Sequence, residues 1–345
     1  MTPTVPEGSG ELGLKLMRRM DRMTWDRNGL KILDNARYNA QFLDRGQSLA
    51  ALRKEVVGQG DSAVVIAAGP SIKRRDPAAR IKAAHYKGAI VCTDSGIAYC
   101  LRNGIVPDLV VSLDPDATRI VRWFGDPELT KEKLATDDYF RRQDMDTDFS
   151  NELRANDEVL ELLNRHGKDM RIALCSSASK AVVDRVMTSG MSIYWWNAML
   201  DDPDQPDSAT RKLYEINRLP CLNAGGNVGT ACWMMADAVL GKAEVALTGV
   251  DFSYYGDTPY VNTQYYHEAV ALVGQENLDS IYIRLHNPYI DAEFYTDPAY
   301  MWYREAFLDM AQDAQCRTFN CTEGGILFGD KVDFIPLDDF LKRHI

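Results

Sequence analysis

No apolar run in the 345 residues approaches the roughly 18 needed to cross a bilayer, and the first residues hold no secretory apolar core. A cytoplasmic protein without a transmembrane segment is the expectation. Excess positive charge is also missing: 39 Lys and Arg face 50 Asp and Glu, for a formal charge of −11. That balance disfavours general nucleic-acid binding. The seven cysteines (Cys92, Cys100, Cys175, Cys221, Cys232, Cys316 and Cys321) form no C-x-x-C pair, are odd in number and mostly lie inside apolar runs. Free buried thiols in a reducing compartment fit them better than disulfides or a zinc site. Internal repeats and low-complexity stretches are absent. What remains, with 46% hydrophobic and 26% charged residues, is an ordinary globular composition. It is long enough for one large α/β core or two smaller ones.

Residues 63–68 are apolar and rich in β-branched side chains, stop at Gly69-Pro70-Ser71, and precede a polar, helix-compatible stretch from Ile72 to Lys82. This pattern predicts a buried strand, a tight turn and a helix start, where α/β proteins commonly hold a phosphate. Gly69 lets a ligand approach the backbone, Pro70 suits a first helical position, and Ser71 adds a hydroxyl beside free N–H groups. The turn matches neither G-x-G-x-x-G nor G-x-x-x-x-G-K-[ST], so its spelling alone is a weak signal. Lys73-Arg74-Arg75 behind it reads either as a cationic collar or as a solvated helix face.

The same strand-then-carboxylate pattern recurs. Apolar runs 89–93, 109–113 and 243–248 end at Asp94, at Asp114-Pro115-Asp116 and at Gly249-Val250-Asp251. In a parallel sheet such ends share one rim, where ligands bind. Asp94 also reads as a helix N-cap. Further strands are predicted near 171–175, 191–196 and 316–320, with helices near 74–86, 96–103, 150–165, 177–188, 226–240 and 298–314. Segments 125–150 and 200–208 read as loops. The alternation predicts an α/β, Rossmann-like fold: a mainly parallel sheet with helices on both faces, preceded by a helical N-terminal arm. The expected division is 1–60 for the arm and 61–345 for the catalytic domain. In the arm, Leu16, Met20, Met23, Ile32, Leu33, Ala36, Tyr38 and Phe42 form an apolar stripe that reads as packing.

Two more glycine-rich turns complete the set, Gly225-Gly226-Asn227 before a small-residue helix and Thr322-Glu323-Gly324-Gly325 near the end. In order with Gly69-Pro70-Ser71, Asp94, Pro107-Asp108, Asp114 and Gly249-Val250-Asp251-Phe252, they resemble the motility accessory factor family. Those are bacterial glycosyltransferases that attach nonulosonic acids to flagellin. The pattern, over roughly residues 60 to 330, is also similar to bacterial lipooligosaccharide sialyltransferases and to archaeal-type hydroxymethylpterin diphosphokinases.

The resemblance implies a CMP-activated sugar donor, an acceptor protein such as flagellin, and phosphate over Gly69-Pro70-Ser71. Asp94 and Asp114 would then lie near the base or ribose, Gly225, Gly226 and Asn227 on the opposite wall, and Asp251 at the rim between. Tyr254, Tyr255 and Tyr260 fall where the sialyltransferases place phosphate-binding tyrosines, with Tyr254 and Tyr260 the expected donors, although Ser253 stands where their first tyrosine would be. A base is needed for a hydroxyl acceptor, and His286, His267 and Glu323 are the candidates. Each histidine also reads as an ordinary surface or packed residue. Asp114 and Asp116 spell Asp-x-Asp, which allows Mg2+ or Mn2+. The alternative activity is an ATP- and magnesium-dependent diphosphokinase of the 6-hydroxymethylpterin type.

Overall fold

The run Ser62–Ile66 is wholly buried, with Ala63 and Val65 on one apolar layer and Val64 and Ile66 on the other. A strand covered on both faces is what a near-continuous β-branched run specifies, because successive side chains point to opposite sides. The computed structural model of the chain describes residues 10–117, 120–136 and 149–344.

In chain order the strands are β1 (Gln47–Ser48), β2 (Ser62–Ile66), β3 (Ala89–Thr93), β4 (Leu109–Ser112), β5 (Arg171–Cys175), β6 (Ser192–Ala198), β7 (Cys221–Leu222), β8 (Glu244–Thr248), β9 (Tyr254–Tyr255), β10 (Ile283–Asn287), β11 (Ala292–Thr296), β12 (Arg317–Asn320) and β13 (Val332–Phe334). Among the described residues ten of them form one parallel sheet, ordered β1-β6-β5-β4-β3-β2-β8-β12-β13, with β7 paired to β6. From β2 the chain winds outward through β3 to β6, then returns to lay β8 on the other side of β2. The winding direction therefore reverses between β2 and β8, and that is where the carboxyl edge of a doubly wound sheet opens a crevice.

Helices cover both faces, as alternation of strand and helix predicts. The helix Ile72–Lys82 expected behind the Gly-Pro-Ser turn is instead two short ones, Ser71–Arg75 and Pro77–Ala83. They are separated at Asp76, which takes a left-handed φ of 42° and whose carboxylate accepts from Ala79 N. The cause is legible: a residue before proline is pushed out of the helical region. The region read as a loop at 125–150 contains a helix at Lys131–Thr136, and another begins at Phe149. Residues 137–148 lie outside the described residues.

Strands β10, β11 and β9 form a separate antiparallel sheet beside the carboxyl edge, stacked with tyrosines. The sequence reading placed no strands there. The arm helix Met20–Asn39 docks by Ile32, Leu33 and Ala36 against Leu213. It is fixed by two amides: Asn35 donates to the Pro115 and Ser177 carbonyls, and Asn39 to those of Ser176 and Ala178. These carbonyls are just past β4 and β5, so the arm is tied to the edge that carries the crevice.

Candidate functional site

Backbone pairing between β2 and β8 continues past both strands, with Ala67 N donating to Thr248 O and Gly69 N to Gly249 O, each at 2.9 Å. The two turns are thereby pressed together. Gly69 has to be glycine, since a Cβ there would stand 2.5 Å from the Gly249 carbonyl and collide with the Asp251 carboxylate. Across this contact the Ser71 hydroxyl donates to Asp251 Oδ2 at 2.7 Å, and Ser71 N points to the same oxygen at 3.4 Å. An internal carboxylate thus occupies the donors that the sequence assigned to a phosphate. Burial is the largest influence on Asp251 and raises its pKa to about 7, against the lowering effect of Ser71, Arg74 and Arg75.

The segment after β12 closes the site from the third side. Ile326 N donates to Asp251 O, and Thr322 Oγ1 lies 3.3 Å from Val250 N, which donates to it. Arg75 Nε donates to Glu323 O at 3.0 Å, and Arg80 pairs with the Glu323 carboxylate and, at 2.8 Å, with Asp338. Arg74 lies over the Tyr255 ring, 3.7 Å from its centroid, and reaches Asp257 at 3.2 Å. Left-handed φ values at two non-glycine residues, Phe252 (50°) and Glu323 (51°), bracket Asp251. Such conformations cost roughly 1–3 kcal/mol each and persist where surrounding contacts impose them.

One strand over, Asp94 is not the N-cap; Thr93 is, accepting from Gly96 N at 3.1 Å. The Asp94 carboxylate instead accepts from Ser112 Oγ (2.8 Å) and Ser95 N (2.7 Å), and burial raises its pKa to about 7. Asp114, at the next strand end, accepts from Asp116 N at 2.8 Å, and Asp116 pairs with Lys31 at 3.7 Å. The carboxyl rim therefore reads Asp114, Asp94, Gly69–Ser71, Asp251 and Glu323 in the spatial order β4, β3, β2, β8, β12.

On the opposite face of the sheet, Asn227 caps the helix Val228–Met234 by accepting from Thr230 N at 2.9 Å. A Cβ on Gly229 would lie 3.8 Å from Ala67 Cβ and 3.9 Å from Val250 Cγ2. The second glycine turn thus reaches the same two strand ends as Gly69–Ser71, from the other side. Gly225 and Gly226 have φ of 56° and 77°, and Trp302 and Tyr303 cover Gly226 so closely that a side chain there would strike the indole.

Other expected residues are placed elsewhere. His286, on the solvent side of β10, is clasped by Glu293 (2.7 Å) and Asp291 (3.4 Å). His267 is exposed in the helix Tyr266–Val273. Tyr254 is buried in a tyrosine stack, with its hydroxyl 3.3 Å from Asp297, to which it donates, and Tyr260 donates to Asp279 at 2.5 Å. Neither hydroxyl faces Ser71. Tyr255, one residue on and so on the other side of its strand, does face Asp251. Sequence reasoning also missed Asp297, which caps the helix Pro298–Ala311 through Ala299 N and Tyr300 N and is raised to about 6 by burial. The signal was available, as Asp297-Pro298 is an N-cap followed by proline at the first helical position.

Asp94, Asp251 and Asp297 all have folded-state values above the roughly 3.9 of an unfolded aspartate. Their contribution to stability is therefore full below pH 4 and is lost as pH rises through about 6 to 7. Asp94→Asn is expected to remove part of that loss. In thermal melts the wild type should weaken relative to Asp94→Asn between pH 5 and pH 8, by a few kcal/mol; parallel melting curves would refute the assignment.

Sheet order and strand direction define a doubly wound, Rossmann-like α/β protein with its candidate site at the switch point. A family model described as 6-hydroxymethylpterin diphosphokinase MptE-like matches residues 31–124, the stretch from the docking face of the arm through β4 and its Asp114 turn. Among solved structures the chain is similar to that of the MAf glycosyltransferase from Magnetospirillum magneticum AMB-1, with 15% identity and a TM-score of 0.50. The match covers 89% of this chain and 39% of that one, so the chain spans well under half of that protein's length. At this identity the likeness is one of fold. No curated protein matches the chain.

Proposed function

We propose that the chain is a nucleotide-sugar glycosyltransferase that moves a CMP-activated nonulosonic, sialic-acid-like sugar onto a protein hydroxyl such as one on flagellin. The observation that carries this reading is the switch point of the sheet, where a glycine turn after β2 and a buried acid after β8 stand side by side on the carboxyl edge. The donor phosphate would lie beside Gly69, Pro70 and Ser71, and because Asp251 holds the Ser71 donors, Arg74 and Arg75 would supply its positive partners. Asp94 and Asp114 would face the nucleoside, and Gly225, Gly226 and Asn227 would form the far wall. The helix behind Ser71 has only five residues, so its dipole is small, and the charge developing on departing CMP falls mainly to the arginines. Among the described residues no helix is long and apolar enough to cross a membrane, which is compatible with a cytoplasmic enzyme.

A second reading, an ATP-dependent diphosphokinase of the hydroxymethylpterin type, is favoured by the family match over residues 31–124. It would require Mg2+ or Mn2+ at Asp114 and Asp116. Among the described residues no group of three or more His, Cys, Asp or Glu is arranged to hold a metal. The pair would need nucleotide phosphate oxygens to complete a cation's shell.

Thermal melts with CMP, ATP and GTP, each with and without magnesium, separate the two. A ligand at one hundred times its dissociation constant stabilises by about 2.7 kcal/mol. A CMP response indifferent to magnesium is expected; an ATP response that appears only with magnesium would reverse the choice.

A further inference from the structure

Among the described residues two polar atoms at the switch point are shielded from solvent and lack a hydrogen-bond partner of ordinary geometry, Asp251 Oδ1 and the Tyr255 hydroxyl, with the Arg75 guanidinium near enough to the latter to oppose the rise that burial gives its pKa. They converge at Gly324, where a Cβ would be 2.7 Å from the Tyr255 hydroxyl, 3.3 Å from Asp251 Oδ1 and 3.4 Å from Ser71 Cβ. Because Ser71 holds Oδ2, Oδ1 is the oxygen left free. An unpaired buried polar atom costs about 1–3 kcal/mol. Two at one spot are understandable where an incoming group completes both.

The group they specify can be read from their chemistry. Asp251 Oδ1 requires a donor and the Tyr255 hydroxyl offers one, so the incoming atom must donate one hydrogen bond and accept another. An alcohol does both, whereas a carboxylate would face Asp251 with no proton to give. The cover over the seat is Glu323-Gly324-Gly325. It is fastened by Arg75 to Glu323 O, by Arg80 to the Glu323 carboxylate, by the buried Asn287 Nδ2 to Gly325 O at 2.7 Å, and at its end by Ile326 N to Asp251 O. The left-handed Glu323 stores strain in this cover, so lifting it releases part of what holding it costs.

We propose that Asp251 Oδ1 and the Tyr255 hydroxyl seat the reacting hydroxyl of the acceptor, with Asp251 as the base, once the Glu323–Gly325 turn lifts. The inference rests on the transferase reading. In the step, the acceptor O–H bond breaks and its proton passes to Asp251 Oδ1. The acceptor oxygen bonds to the anomeric carbon of the sugar, the bond from that carbon to the phosphate oxygen breaks, and its electron pair leaves with CMP. Tyr255 donates to the acceptor oxygen and fixes its direction. The charged and titratable groups around Asp251 are Arg74 and Arg75 on the Ser71–Arg75 helix, Tyr255 on β9 and Glu323 on the cover. Burial among them leaves Asp251 near the pH at which general bases work best.

The test compares wild type, Asp251→Asn, Tyr255→Phe and Gly324→Ala for CMP binding by calorimetry. CMP release from CMP-N-acetylneuraminic acid, with water standing in for the alcohol, is followed against pH. Tyr255→Phe is expected to bind CMP within a few-fold of wild type, and calorimetry separates any loss of binding in Asp251→Asn or Gly324→Ala from loss of turnover. Asp251→Asn should lose at least about 100-fold in kcat together with the acidic limb near pH 7, and Gly324→Ala, which fills the seat, should lose release as well. Tyr255→Phe, missing one oxygen, tests the seat even where Asp251→Asn folds poorly, and should lower kcat with the acidic limb intact. Wild-type release and pH profile retained in both Asp251→Asn and Tyr255→Phe would overturn the assignment while leaving the transferase reading in place. A wild type that binds no CMP would remove both.

Discussion

Gly69→Ala is expected to destabilise the fold by about 3 kcal/mol and to abolish nucleotide binding, although it adds only one carbon atom. That carbon would stand 2.5 Å from the Gly249 carbonyl and run into Asp251. The obstruction from Asp251 is a side chain and can be removed; the one from Gly249 is backbone, pinned by its own hydrogen bond from Gly69 N. The double variant Gly69→Ala, Asp251→Ala should therefore recover little of the lost stability. Urea unfolding of both variants tests this. Full recovery in the double variant would mean that the carboxylate, and not the abutting strand ends, dictates glycine at this position.

The second large effect is expected at Arg304, which no reading of the sequence would single out. Its side chain is buried, with Nε donating to Ile326 O and Nη2 to Phe328 O, both at 2.7 Å, and Nη1 paired with Glu305 at 2.5 Å. It lies against the Phe328 ring. Arg304→Ala strips two backbone carbonyls of their partners next to the Glu323–Gly325 cover and opens a cavity. A loss of about 3–5 kcal/mol is expected, with proteolysis or hydrogen exchange increasing first in residues 322–328. Arg304→Lys should recover only a fraction, because one ammonium cannot match the fork of the guanidinium. Stability within 1 kcal/mol of wild type would show that the segment after β12 is held by β12 and β13 alone.

Much of the architecture was legible. Runs such as Ser62–Ile66, Ala89–Thr93 and Glu244–Thr248 combine β-branched residues with Gly, Pro or Asp at their ends, and each is a strand within a residue or two of its expected position. The two-residue strands Gln47–Ser48 and Cys221–Leu222 carry no periodicity and exist only because β6 offers them an edge. Ile283–Asn287 does alternate buried and exposed residues, a period-two signal that the nearby tyrosines obscured. Missing that strand made His286 look available as a base, when its alternation turns it outward to Glu293 and Asp291.

At the site, single residues were readable and their pairings were not. Gly69, Ser71 and Asp251 stand out at strand ends, yet 180 positions separate Ser71 from Asp251. Only the placement of β8 against β2 makes them neighbours, and that is a property of topology. The choice between Tyr254 and Tyr255 likewise depends on which face of β9 meets the crevice. One packs among Tyr295 and Tyr300, and the other meets Arg74 and Asp251.

Amide hydrogen exchange with and without saturating CMP, in the absence of magnesium, addresses the crevice most directly. Slowed exchange is expected to be concentrated at 67–73, 94–97, 225–230, 249–255 and 322–326, the segments that converge from separate parts of the chain on the β2 and β8 ends. Protection confined to other segments, or an exchange pattern that CMP leaves unchanged, would contradict a nucleotide site at the switch point.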